Sequence, residues 1–314
     1  MAPIFSKRHI FKFYISVAIG FIFLLLMGLT LLFAYLSTPA SLEKMPKQLL
    51  LLLAAIATCM LAFYTVYKYV KNVPTIILDA DIIYIGNNVY AYSEIKRIRL
   101  TGKQAFRLLI DFPMEATAIT LEDNRTIFLF DDMYSNSWEI KSFLKQVIQE
   151  KKEYIAPSPS FLPKDTGKNE LYENFKGNPV TSLRGLSIVT FCLLIGFALL
   201  TNSKPLSVVT ILFFSGFTSG WIFLNAWMMH FFQVSAQYFV VRNHLYFWKR
   251  TVYDLNQVKE IVFETQGKLP NCVRIITKDF RSKLYPACTL RKRHWLALKE
   301  KIRAHKIKLR NECI

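Results

Sequence analysis

The chain has 314 residues, 53% of them hydrophobic, and a formal net charge of +18. Its five cysteines include no C-x-x-C pair and no His-rich spacing, which excludes a zinc site and predicts free thiols in a reducing compartment. No phosphate-binding glycine loop, G-x-S-x-G or H-E-x-x-H is present, so no enzyme is predicted and no cofactor or metal is implied.

Residues 13–36 form an uncharged apolar run, and residues 49–67 form a second. A helix crosses a bilayer with roughly 20 apolar residues. The first run is longer than a signal-peptide core of about 7–15 residues. Thr38, Pro39 and Ala40 make a poor cleavage site, so the run reads as an uncleaved anchor. Residues 37–48 join the pair. Ser16 and Gly20 give the first run a narrow face.

Residues 72–150 change character. Thr75 to Leu78 and Ile82 to Ile85 flank Asp79, Ala80 and Asp81, a tight hairpin signal that also explains those paired carboxylates. Short strands follow at residues 89–92, 95–100, 106–110, 118–121 and 126–130. Ile140, Phe143, Leu144, Val147 and Ile148 then repeat at helical spacing, with Ser135 and Ser137 as candidate N-caps. Residues 151–182, with four prolines, read as a linker.

The plan then recurs. Residues 185–200 and 206–232 are the third and fourth apolar runs, joined at Lys204 and Pro205. Residues 233–314 follow as a second polar, strand-patterned domain. Tyr238 to Val241, a turn at Arg242 and Asn243, and His244 to Trp248 match the opening hairpin of the first copy. Tyr253, Leu255, Val258 and Ile261 match Tyr90, Tyr92, Ile95 and Ile98. Asp279, Phe280 and Arg281 match Asp123, Asn124 and Arg125 as a turn, and Trp295 matches Trp138 at the start of the closing helix. Trp295, Leu298 and Ile302 carry that helix's buried stripe. The chain divides into residues 1–71, 72–150, 151–182, 183–232 and 233–314.

At these positions the chain resembles the bacterial PH-like membrane proteins, over about residues 75–148 and 238–302. The resemblance implies a membrane α+β fold: four transmembrane helices as two hairpins, each followed by a small PH-like antiparallel β domain capped by a C-terminal helix. It also implies binding or scaffolding at a membrane, with no catalytic site. The basic loop of phosphoinositide-binding PH domains is not visible between the first two strands of either copy.

Charge gives an orientation. Lys7, Arg8, Lys12, Lys68, Lys71, Lys176, Arg184 and Arg242 flank one side of the spans, and Lys44, Lys47 and Lys204 the other. The positive-inside rule puts both termini and both polar domains in the cytoplasm, at a bacterial inner membrane. Charge also separates the copies. Residues 72–150 hold 8 Lys and Arg against 11 Asp and Glu, whereas residues 233–314 hold 18 against 6.

Arg291, Lys292, Arg293 and His294 open the last helix, where the macrodipole disfavours cations. Lys299 and Arg303 extend the basic surface, as do Lys301, Lys306, Lys308 and Arg310. These residues are the candidate site for an anion or a partner: anionic lipid headgroups, an acidic protein surface, or the acidic first domain in cis or across a homodimer, where Asp131 and Asp132 stand before the helix. Ordinary positive-inside bias on a solvated face is the plainer reading. Nucleic acid is the weakest candidate, because no module for it is present. Tyr246, Phe247 and Trp248 read as strand core or interface.

In the fourth run, Ser215, Gly216, Ser219 and Gly220 form a G-x-x-x-G face for helix packing. No Asp, Glu, Lys or Arg lies within the four runs; His230 and Asn225 are the polar groups at the end of the fourth. Two functions follow. The first is a membrane protein whose domains bind protein or lipid, as a scaffold, a regulator or a toxin-immunity protein. The second is a small channel or transporter gated by its cytoplasmic domains.

Overall fold

The computed structural model describes residues 3–37, 45–157, 162–201, 207–265 and 269–313. It divides into two compact units, Met1–Pro157 and Ser158–Ile314. The fold is α+β. Among the described residues, four helices are long and apolar enough to cross a membrane: Ile10–Ser37, Gln48–Asn72, Leu183–Thr201 and Val208–Trp227. A helix satisfies its own backbone groups, which is what a lipid environment demands. The predicted connections at residues 38–44 and at Lys204 and Pro205 lie outside the described residues.

In the first unit, a π-helical stretch Ile10–Ile15 leads into α1 (Ser16–Ser37), which packs on α2 (Met45–Asn72). Phe13 meets Tyr69, and Phe21 meets Phe63 at a centroid distance of 5.3 Å. The close approach is at Gly28, where a Cβ would stand 2.5 Å from Cys59 Sγ and 3.3 Å from the Ala55 carbonyl. Gly20 has nothing within 4 Å, so the narrow face predicted there is not the one used.

The β part of this unit has two sheets. One has the order β1 (Ile4–Phe5), β2 (Ile76–Leu78), β3 (Ile82–Ile85), β4 (Asn88–Ala91). In the other, the long β7 (Asp111–Leu121) pairs along one half with β5 (Ile95–Arg99) and β8 (Thr126–Phe130), and along the other with β6 (Lys103–Arg107). The closing helix α3 (Ser137–Phe143) buries Ile140 and Phe143 and continues as a π-helical turn, Leu144–Gln149. Its N-cap is Asn136, not Ser135 or Ser137. That side chain is occupied by the N-terminal strand: its Oδ1 accepts from the Lys7 amide at 2.8 Å, and its Nδ2 donates to the Phe5 carbonyl at 2.9 Å.

The second unit opens with β9 (Glu173–Phe175), inside the segment read above as linker. Then come α4 (Leu183–Thr201) and α5 (Val208–Trp227), in contact through Phe191 with Phe217 and Trp221. One sheet has the order β12 (Arg250–Asp254), β11 (Tyr238–Asn243), β10 (His230–Val234), β9. The other has the order β15 (Ser282–Pro286), β14 (Cys272–Thr277), β13 (Val258–Glu264), β16 (Lys308–Asn311), with β16 parallel to β13. α6 (Lys292–Ala304) buries Trp295, Leu298 and Ile302 against Phe232, Phe263 and Ile275.

The two units repeat each other in register. Both begin with a short strand ahead of the apolar helices that pairs antiparallel with the first strand after them, β1 on β2 and β9 on β10. Pairing shifts by one residue between Ile95 and Arg97 in the first unit, and between Val258 and Glu260 in the second. The next hairpin turn puts Asn124 and Phe280 in the left-handed region, at φ 63° and 64°. Each turn carries an Asp–Arg ion pair, Asp123 with Arg125 and Asp279 with Arg281.

Three predicted correspondences change. The fourth apolar helix ends at Trp227, and His230 begins a strand, because Phe231, Phe232 and Val234 are drawn into the sheet core. His244 to Trp248 is a loop, and the strand paired with β11 is β12. Trp295 is the fourth residue of its helix and buried, whereas Trp138 is the second of its own and half-buried; the buried stripe of α3 starts at Ile140 instead.

Within the second unit, Arg274 on β14 and Glu264 on β13 are each 1% exposed, with Nε donating to Oε1 at 2.8 Å and Nη1 to Ser282 Oγ at 3.1 Å. Removing one member leaves the other charge buried. Arg274→Met is expected to destabilise the unit by about 3–5 kcal/mol, and Arg274→Met with Glu264→Leu to recover most of that. Thermal unfolding of the detergent-solubilised protein, followed by intrinsic fluorescence, measures both.

Candidate functional site

After β15 the chain turns through Ala287 and Leu290 and enters α6 with Arg291 as its N-cap. The first turn holds no acidic residue. The Arg291 amide donates to His294 Nδ1 at 3.2 Å, so the ring closes the cap in its neutral form. Burial, with Arg293 and Arg291 beside it, lowers the His294 pKa and keeps that form populated.

Arg291, Lys292 and Arg293 are exposed. Among the described residues none of them, nor Lys299 or Lys306, has a carboxylate partner. The rest of the predicted basic surface is partly neutralised. Lys301 meets Glu173 at 2.9 Å, Arg303 meets Glu300 at 3.2 Å, and Lys308 and Arg310 each lie 3.6 Å from Glu260. Lys292, Lys299 and Arg303 share one face of α6, flanking the buried stripe of Trp295, Leu298 and Ile302 about a quarter-turn away.

This basic tip sits at the foot of α4. Arg291 Nη2 lies 3.5 Å from Thr181 Oγ1, two residues before α4 begins. Gly177 lies against Thr289 so closely that a Cβ there would strike its carbonyl. Ser182 Oγ accepts from the Gly185 amide at 3.0 Å and fixes the first turn of α4. Arg184, on that turn, acts on Cys288, whose thiol is pushed up to about 11 by burial despite the opposing guanidinium. That thiol is unreactive at neutral pH.

His230 does not stand beside Asn225 at the end of a span. Its Nδ1 lies 2.9 Å from the Pro286 carbonyl, and its ring packs on Tyr285 within the β core. Asn225 Nδ2 donates to the Trp221 carbonyl of its own helix at 2.8 Å. Asp131 and Asp132 are also internal: Asp131 meets the buried Lys141 at 2.5 Å, and Asp132 pairs with Lys12. Gly216 and Gly220 have nothing within 4 Å among the described residues, so α4 does not fill the G-x-x-x-G face. Ser215 Oγ turns back to the Leu212 carbonyl, and Ser219 shares that open face. The described residues contain no cluster of three His, Cys, Asp or Glu able to hold a metal.

Sequence reasoning missed the loop at residues 244–249, which carries Phe247 and Trp248 into the open. The signal is spacing: eight residues lie between Val241 and Arg250, more than a hairpin with His244 to Trp248 as its second strand needs. No family model matches the chain, and none of the curated proteins does.

Burial pushes the His230 pKa down to about 4. Between the ordinary value of 6.5 and that value the unfolded chain binds the extra proton, so stability is fully present above pH 6.5 and falls with pH through the window. The expected slope is at most roughly 1.4 kcal/mol per pH unit. Burial lowers the His244 pKa in the same direction. Denaturant unfolding across this range should show the slope, and His230→Gln should remove the share of His230 and leave that of His244. Gly216→Leu with Gly220→Leu is expected to leave each unit folded, because no described side chain stands in the way; size-exclusion mobility in detergent reports whether the face joins two copies.

Proposed function

We propose that this is a bacterial inner-membrane protein with two transmembrane hairpins and two cytoplasmic PH-like domains, acting by binding rather than catalysis. The observation that carries this reading is the unneutralised tip of Arg291, Lys292 and Arg293 beside the first turn of α4. Cations at a helix start are unfavourable unless an anion faces them. At the foot of a membrane helix, the abundant anions are lipid headgroups of the inner leaflet, each basic residue contributing about 1 kcal/mol. The second domain binds that surface, and the first, with its excess of acidic residues, is left to engage a protein partner in a scaffolding, regulatory or immunity role.

The duplicated register supports the PH-like reading. In each unit a strand ahead of the membrane pair, two small sheets and one closing helix make a single module. A gated channel is the weaker alternative. The one titratable group assigned to the end of a span, His230, belongs to a strand.

Arg291→Glu, Lys292→Glu and Arg293→Glu together are expected to reduce the anionic lipid that co-purifies with the protein in native nanodiscs, without changing its insertion. Unchanged lipid composition would count against the leaflet, and a protein lost from the co-purified set would point to an acidic partner instead.

A further inference from the structure

We infer that the loop between β11 and β12 dips into the bilayer and pins the second β domain to the membrane beside α5. Phe247 is 73% exposed and Trp248 58%, side by side at a loop tip. Two large exposed aromatics are unfavourable in water and suited to the membrane–water boundary, where Trp and Tyr concentrate.

The loop is built onto the membrane helix. Asn243 is 2% exposed. Its Oδ1 accepts from the Leu245 and Tyr246 amides, both at 3.0 Å, and its Nδ2 donates to the Ala226 carbonyl near the end of α5 at 2.8 Å. The His244 amide donates to the Met229 carbonyl at 3.0 Å. The Lys249 amide returns to the Tyr246 carbonyl at 2.8 Å and closes the turn.

Tyr246 sets the depth. Its hydroxyl donates to the Phe223 carbonyl at 2.9 Å, and its ring packs on Phe223 at 5.7 Å. Phe223 is one turn inside α5, about 6 Å from the helix end at Trp227. The loop therefore reaches back along the span. Trp248 packs on Tyr246 at 5.5 Å with the rings tilted by 46°, and Lys249 places its ammonium 4.5 Å from the centre of the Tyr246 ring. A cationic and aromatic cluster of this kind matches headgroups above and acyl chains below. The equivalent turn of the first unit, at Gly86 and Asn87, has no such loop, so the device belongs to the basic copy alone.

The inference rests on α5 crossing the bilayer, and one measurement separates the two. The full chain is reconstituted in vesicles of neutral and anionic phospholipid, with bromine carried either close to the headgroup or near the end of the acyl chain. The emission of Trp248 is taken as the difference between the protein and Trp248→Phe, which keeps a ring in the loop. Trp221 and Trp227, within α5, serve as the internal control, their emission taken as the further difference on changing both to Phe, which removes the background of Trp138 and Trp295. The expected result is loss of the Trp248 emission with bromine near the headgroup and little loss with bromine at the chain end. Trp248 emission indifferent to both lipids overturns the inference, whether acrylamide quenches it in water or a second protein surface shields it. Emission of Trp221 and Trp227 that no brominated lipid quenches overturns the spanning of α5 itself.

Discussion

Each half of this protein depends on a backbone pairing made across its own membrane helices. Ile4 lies opposite Leu78, and Phe175 opposite Phe232, so the first sheet of each unit contains a strand from before the apolar pair and strands from after it. The strand ahead cannot reach its partner unless the two helices fold back on each other. In the first unit that return is tight, with Gly28 against Cys59 and Phe21 against Phe63. Packing of the apolar helices and closure of the sheet are therefore one event. The tail reinforces it: Arg8 donates to the Val73 carbonyl, the His9 amide to that of Met133, and Asn136 holds Phe5 and Lys7 on either side of Ser6.

Much of this was legible in the sequence, for identifiable reasons. Long uncharged runs have one structural outcome, and all four became helices. Alternating β-branched residues around Asp79 to Asp81 gave β2 and β3, and the matching Asp-x-Arg turns fixed the last hairpin in both copies. The failures lie where a segment is too short or too apolar to carry a period. Two or three residues of β1 and β9 have no periodicity to read. His230 to Val234 is as apolar as the helix before it, so only the tertiary sheet separates one from the other. The aromatic run at 246–248 has the composition of a strand, but the buried Asn243 turns it outward. Of the candidate site, the cluster at the start of α6 was visible as charge. Which of its neighbours are neutralised was not, because Glu173 and Glu260 approach from distant elements.

The copies share a frame and differ in what they place on it. In the first, the acidic pair ahead of the helix is consumed internally by Lys141 and Lys12. In the second, the corresponding stretch is Ala287 and Cys288, and the charge moves to the helix start, where it faces outward. A doubled fold thus carries an acidic excess in its first β domain and a basic excess in its second, with three of the second's cations at the start of α6.

The sheet margins diverge as well. In the second unit the chain continues past α6 and lays β16 along β13, so that edge is satisfied by the protein's own C-terminal segment. In the first unit no described strand covers the outer side of β5, which is bordered by Lys96, Arg97 and Arg99, all exposed. A row of unpaired amides and carbonyls invites pairing with any extended chain, and lysine and arginine along it are the usual deterrent. The first β domain, acidic overall, thus spends three of its eight cations guarding against edge-to-edge aggregation, a hazard that the second removes by covering its edge with its own backbone.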